Sequence, residues 1–291
     1  MLSSCPIEQI GVTRSGSDLF ATGANHCSVD VWSLAKKERI GELSTILDFG
    51  GERLAVLPGD FPLTIVGSWD KGVQAYDATS GRALWSRRDI KHVQELCDLS
   101  TSELLSVGIG TDEEGYHIVD AVNGKTIYTF PRVRKVFPHP KQGIYLFVTR
   151  EYLFVSTLTT QPAWKVKLRS FAVLDAAFSD DALIYSESAG SVYCVDFFGH
   201  ELWSCSKLPQ RHMLELTWQE DGEKWLGIEW DYENGGPKRL VEIGPERRPK
   251  YLLNLGECRQ QKFFGDGSYI ATSHGKIIST KTLSVIWEFT R

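Results

Sequence analysis

Two segments place a histidine three residues before a glutamate: His92-Val93-Gln94-Glu95 and His212-Met213-Leu214-Glu215. On a strand those positions face opposite sides, so neither pair alone can close on a metal. The echo between them is the first sign of a repeat. Gly108-Ile109-Gly110-Thr111-Asp112-Glu113 opens like a dinucleotide-binding loop. It lacks the final glycine, and no helix follows to hold a pyrophosphate. No Gly-x-Ser-x-Gly or Ser-His-Asp arrangement is visible. Six scattered cysteines (Cys5, Cys27, Cys97, Cys194, Cys205, Cys258) include no Cys-x-x-Cys pair, which removes the usual zinc and thiol-redox signatures.

Aromatic and acidic residues mix in several turn-like stretches. They are Trp69-Asp70-Lys71, Asp112-Glu113-Glu114-Gly115-Tyr116, Arg150-Glu151-Tyr152, Glu187, and Glu229-Trp230-Asp231-Tyr232-Glu233-Asn234-Gly235-Gly236. Tryptophan and tyrosine are favoured at the energetic centres of interfaces, and carboxylates steer a basic partner. The candidate partner-binding residues are therefore Trp69, Asp70, Asp112, Glu113, Glu114, Tyr116, Glu151, Tyr152, Trp230, Asp231, Tyr232 and Glu233. The competing reading is of solvated turns whose aromatics fold back onto the body. Arg87, Arg88, Lys91 and Arg211 make the expected field patchy.

A repeat accounts for where these stretches fall. Val73 to Trp85 reads as an alternating strand, a turn and a second strand ending in an aromatic. The unit returns from Ile118 to Tyr128 and from Val195 to Trp203. With weaker copies at Ser33, Ser156, Glu242 and Ser279, the anchors are Ser33, Asp77, Asp120, Ser156, Asp196, Glu242 and Ser279, spaced 44, 43, 36, 40, 46 and 37 residues apart. A mean near 41 is the period of a propeller blade. Each unit holds four short strands, a to d, with no long helical periodicity. The fold class expected is all-β, a single seven-bladed β-propeller of four-stranded antiparallel blades spanning 1–291. The blades fall near 9–44, 52–87, 92–130, 133–168, 171–206, 212–254 and 258–291. The phase starts the ring at strand a and ends it at strand d in Val285-Ile286-Trp287-Glu288-Phe289. Closure then rests on packing between blades one and seven.

The pattern of Ala75, Asp77, Gly81 and Trp85 resembles the repeat of pyrroloquinoline-quinone-type propellers, and Asp120, Gly124, Tyr128, Asp196 and Trp203 match it in part. Blade length also resembles WD-repeat propellers, whose Gly-His and Trp-Asp pairs are absent apart from a misplaced Trp69-Asp70. Quinoprotein dehydrogenases need a vicinal disulfide, and no Cys-Cys pair exists here, so none of their catalytic residues carries over. The chain is loosely similar to bacterial immunity propellers that cap a secreted toxin.

Aligning the blades on strand a puts Gln9, Arg53, Glu95, Arg134, Asp175, Glu215 and Gln261 toward the channel. Three acids, two bases and two amides read as a self-neutralised, hydrated channel, unlike the acid-rich donor set of a calcium site. With a net charge of −5 and no basic stripe, nucleic acid is a poor partner. No signal-like N-terminus and no apolar run of membrane-spanning length occurs, so a cytoplasmic location with reduced thiols and no membrane contact is expected. The sequence therefore favours a non-catalytic protein-binding propeller with no cofactor or metal. Its most specific form is an inhibitor that occludes a basic protein. A general scaffold and a channel-site metal-dependent hydrolase or lyase stay open as alternatives.

Overall fold

A strand of alternating character normally buries one face. Here Leu63–Ser68, Ser106–Thr111 and Ala182–Glu187 are buried along their whole length. Each therefore has protein on both faces. The outer strands Ala83–Arg87 and Glu201–Cys205 are mostly exposed or half-exposed. Burial thus falls from the middle of each sheet to its outer edge, as expected of sheets stacked radially. The computed structural model describes residues 7–13, 18–23, 27–43, 45, 53–100, 104–111, 114–159, 164–170, 172–205, 211–231, 233–246 and 248–290.

These residues form seven four-stranded antiparallel sheets, each made of four consecutive strands: a seven-bladed β-propeller. Blade one runs from Gln9–Val12 to Glu38–Leu43, and blade two from Arg53–Leu57 to Ala83–Arg87. Blade three runs from Val93–Asp98 to Thr126–Phe130, and blade four from Lys135–Pro138 to Val166–Lys167. Blade five runs from Val173–Phe178 to Glu201–Cys205, blade six from Arg211–Gln219 to Lys250–Gly256, and blade seven from Gln261–Phe264 to Ser284–Glu288. One 3-10 turn, Glu220–Gly222, is the only helical segment among the described residues.

The seven anchors fall at equivalent places. Ser33, Asp77, Asp120, Ser156, Asp196 and Ser279 each end a strand c, and Glu242 lies one residue before the end of its own. The aspartates close the c–d turn. One Asp77 oxygen accepts from Thr79 N at 2.9 Å, Thr79 Oγ1 at 2.8 Å and Ser80 N at 2.8 Å. Asp120 accepts from Val122 N, and Asp196 from Phe198 N and His200 N. The turn glycine then serves the blade before it. Gly124 has φ +75°, and a Cβ there would sit 2.8 Å from the Trp85 ring. That indole comes from strand d of blade two and donates to Ala121 O at 2.8 Å. Trp164 of blade four repeats the contact on Gly199 of blade five and donates to Phe197 O. The anchor, the glycine and the strand-d aromatic thus form one joint between neighbouring blades.

Blade seven meets blade one through side chains. Gln260 Oε1 accepts from Ile10 N at 2.9 Å, and Arg259 pairs with Glu8 at 2.6 Å. Phe20 and Trp32 of blade one pack with Phe264, Trp287 and Phe289 in one buried cluster. Among the described residues no strand is shared across this joint. Cys97, Cys194, Cys205 and Cys258 are buried free thiols. Cys27 is disulfide-bonded, which departs from the expectation that every thiol is reduced.

Two outcomes follow for stability. Phe20 is fully buried at the closing joint. Phe20→Ala should cost about 3–5 kcal/mol in denaturant unfolding, as deletion of a buried aromatic does. Gly124→Ala should also destabilise, because it combines a positive φ with a clash on Trp85. Asp77 is held at a pKa of about 2 by the Ser80 amide and the Thr79 hydroxyl. Its folded carboxyl titrates below the unfolded value of about 3.9, so the stability it supplies is whole above that pH. That stability is lost as pH falls through about 2. The gap between the protein and Asp77→Asn should be about 1 kcal/mol at neutral pH and close toward zero in acid.

Candidate functional site

The alternation of strands fixes two faces. The b–c and d–a connections lie on one, the a–b and c–d connections on the other, and the strands a line the channel between them.

In the channel the aligned residues stitch blades together. Arg53 Nε donates to Gln94 O of blade three at 2.7 Å. Asp175 is buried and accepts from Leu216 N of blade six at 2.6 Å. Glu215 pairs with Lys262 of blade seven at 2.5 Å, and Gln9 accepts from Gln260 Nε2 at 3.0 Å. Gln261 is buried and accepts from Lys238 Nζ at 2.7 Å, where burial pushes the Lys238 ammonium pKa down. Arg134 stays exposed. Two lysines that the alignment passed over complete the pattern: Lys262, and Lys135, which donates to Leu174 O at 2.8 Å. Each sits one residue beyond an aligned position, where a long side chain still reaches the next blade. Together they leave a cavity of about 330 Å³ toward the a–b face.

On the b–c and d–a face, Trp69 is 40% exposed and lies against His92 with ring centres 4.8 Å apart. His92 N donates to Trp69 O at 2.8 Å, so the indole is braced from below. Asp70, Glu151 and Glu233 are exposed. Glu114 is exposed and 3.5 Å from His117, whose pKa burial pushes down. Tyr152 is half-buried beneath the Lys165 ammonium, 3.6 Å from the ring centre. Trp230 and Asp231 are half-buried, and Asn234 holds the Asp231 carboxyl below its usual range through side-chain and backbone hydrogen bonds.

Tyr116, Glu187 and Glu229 depart from the exposed positions expected of them on this rim. Tyr116 does not reach the surface: it is wholly buried among Cys97, Leu99 and Val136, because Gly108 on the paired strand leaves room for its ring. Glu187 and Glu229 are buried too; one caps Arg169 N at 3.0 Å and the other pairs with Arg211 at 2.7 Å. Arg88, Lys91, Arg132 and Arg150 stand exposed between the acids, so the rim alternates in charge. Asp112, Glu113 and Tyr232 lie outside the described residues.

The a–b and c–d face carries what the sequence reading missed. Phe61 is 80% exposed, Phe198 76% and Val122 63%, each in a turn. The signal was present in Pro58-Gly59-Asp60-Phe61-Pro62, a bulky aromatic among turn formers, and in Phe198 beside a turn glycine.

No family model matches the chain, and no curated protein does. Solved structures do match. A computationally designed protein, Ika8, aligns at TM-score 0.61 and 15% identity, covering 98% of this chain and 89% of its own. A chain in a mitotic checkpoint complex aligns at 0.68 and 12%, covering 98% and 92%. Raptor from Chaetomium thermophilum aligns at 0.70 and 12%, covering 93% of this chain and 27% of its own length. At such identities the likeness is one of fold alone: the chain is a seven-bladed β-propeller.

Proposed function

We propose that this chain is a non-catalytic protein-binding propeller, and specifically an inhibitor that covers a basic partner such as a secreted bacterial toxin. The observation that carries the reading is how side chains are shared between the channel and the rim. Asp175, Glu215 and Arg53 of the channel are committed to neighbouring blades, while Arg134 stays exposed. The rim instead presents Trp69 on a rigid support with carboxylates at Asp70, Glu114, Glu151 and Glu233. A braced, half-exposed indole is the kind of group on which an interface concentrates its energy. One structural neighbour sits in a multiprotein complex, which agrees with a binding role. An inhibitor of this kind acts by covering an active site and does no chemistry of its own. The resemblance to immunity propellers supplies the toxin, and the basic character of the partner rests on Asp70, Glu114, Glu151 and Glu233, which would have to outweigh the exposed Arg88, Lys91, Arg132 and Arg150 of the same rim.

The test is capture of the partner from native extract, followed by reconstitution with that partner purified. Charge reversal at Asp70, Glu114, Asp231 and Glu233 should slow association and flatten its dependence on salt. Trp69→Ala or Trp230→Ala should mainly speed dissociation, by about 2 kcal/mol or more if either is a hot spot. Unchanged affinity across all these variants, with unchanged melting temperature, overturns the rim as the binding face. A general scaffold would instead capture several partners without regard to charge, and a channel hydrolase or lyase would turn over substrate without any partner.

A further inference from the structure

The a–b and c–d face holds a groove of about 1180 Å³ between blades two, three and four. Phe61, Leu84, Val122, Leu104 and Pro140 line it. Phe61 and Val122 stand out from turns with most of their surface in water, which costs free energy and stabilises nothing within the blades. The groove is continuous with the channel mouth, since Pro138, His139, Pro140 and Lys141 line both.

At that mouth acids outnumber bases. Asp180, Glu220 and Asp266 line it, and Asp181, Asp221 and Glu223 stand exposed on the same turns. Among the described residues of the a–b turns in blades four to seven, Lys141 is the only lysine or arginine. Its ammonium bridges Asp180 of blade five, at 3.3 Å, and Glu220 of blade six. Lys141 is half-exposed, so this bridge is open to exchange with a cation from outside. From the c–d turn of blade seven, Lys281 pairs with Asp221 at 3.6 Å, while Arg82 and Lys125 lie in c–d turns of blades two and three.

We propose that this face binds a short linear peptide segment with a bulky apolar anchor followed by lysine or arginine. The anchor enters the groove at Phe61 and Val122. The basic residues cross the mouth, where one takes the place Lys141 now holds between Asp180 and Glu220. The apolar part supplies affinity and the carboxylates supply direction and preference. An acidic segment would meet six carboxylates with two lysines, Lys141 and Lys281, among them. The site is on the opposite face from the Trp69 rim, so it stands or falls independently of the inhibitor reading.

The experiment pans a displayed peptide library of about twelve-residue segments against the full chain and measures the selected peptides by fluorescence anisotropy. A consensus of an aromatic or leucine followed by two or more lysines or arginines is expected. Phe61→Asp and Val122→Asp should each weaken these peptides about tenfold or more, with melting temperature unchanged because both side chains are exposed. Asp180→Lys with Glu220→Lys should weaken them and remove most of the salt dependence. Lys141→Ala should tighten them about two- to fivefold, a gain that a merely structural Lys141 would not give. Trp69→Ala should change nothing here. The proposal is overturned if no consensus emerges, if it is acidic, or if the peptides keep their affinity for Phe61→Asp. It is also overturned if the free chain self-associates and Phe61→Asp returns it to a monomer, because a second copy then fills the groove.

Discussion

The structure depends on one constraint: no blade can bury both of its faces by itself. A four-stranded sheet with Leu63, Thr64, Ile65 and Val66 all buried in one strand needs protein on either side. The ring satisfies that need seven times, and each joint is made from both ends of a blade. At the outside, the indole of Trp85 on strand d, or of Trp164 just before strand d of blade four, rests on a turn glycine of the next blade. At the inside, a polar strand-a side chain reaches the next strand a. Between them lie clusters that mix residues of adjacent blades, such as the one joining Ala55 and Ile65 to Val107 and Ile109. The outer contacts are apolar with one hydrogen bond, and the inner ones are hydrogen bonds and ion pairs. Both fix the angle between blades.

This division explains which surfaces are left for function. Side chains within the joints are spoken for, including most of the channel ring. What remains are the connections, and the two faces differ in kind. The b–c and d–a rim has braced aromatics and alternating charge. The a–b and c–d face has protruding apolar side chains beside a negative mouth. A rigid scaffold with two unlike faces can meet two unlike surfaces at a fixed separation.

The repeat was legible because its residues answer to local physics. An aspartate that accepts turn amides and a glycine at positive φ recur at the same offset wherever the turn recurs, which is why Asp77 and Gly81 predict Asp120 and Gly124. The closing joint was legible from phase alone. The site was read less well. Whether an aromatic in a turn points outward depends on what the paired strand offers it, and Gly108 drew Tyr116 inward. Glu187 looks like any loop acid until Arg169, 18 residues earlier, is found to need a cap. Lys141 gained its place between two acids only when blades five and six came alongside blade four. Such pairings are set by tertiary neighbours that no spacing along the chain encodes.

The joint between blades one and seven has a mechanical meaning. Within each blade, four strands are bound edge to edge by backbone ladders, which resist being sheared apart. Across this joint the load passes through Gln260, the Arg259–Glu8 pair and the aromatic cluster around Phe20. Under tension applied to opposite sides of it, the aromatic stack would have to slide before any ladder was strained. Among the described residues, the ring is thus closed like a bracelet by a clasp of aromatic rings, hydrogen bonds and an ion pair rather than by a shared strand.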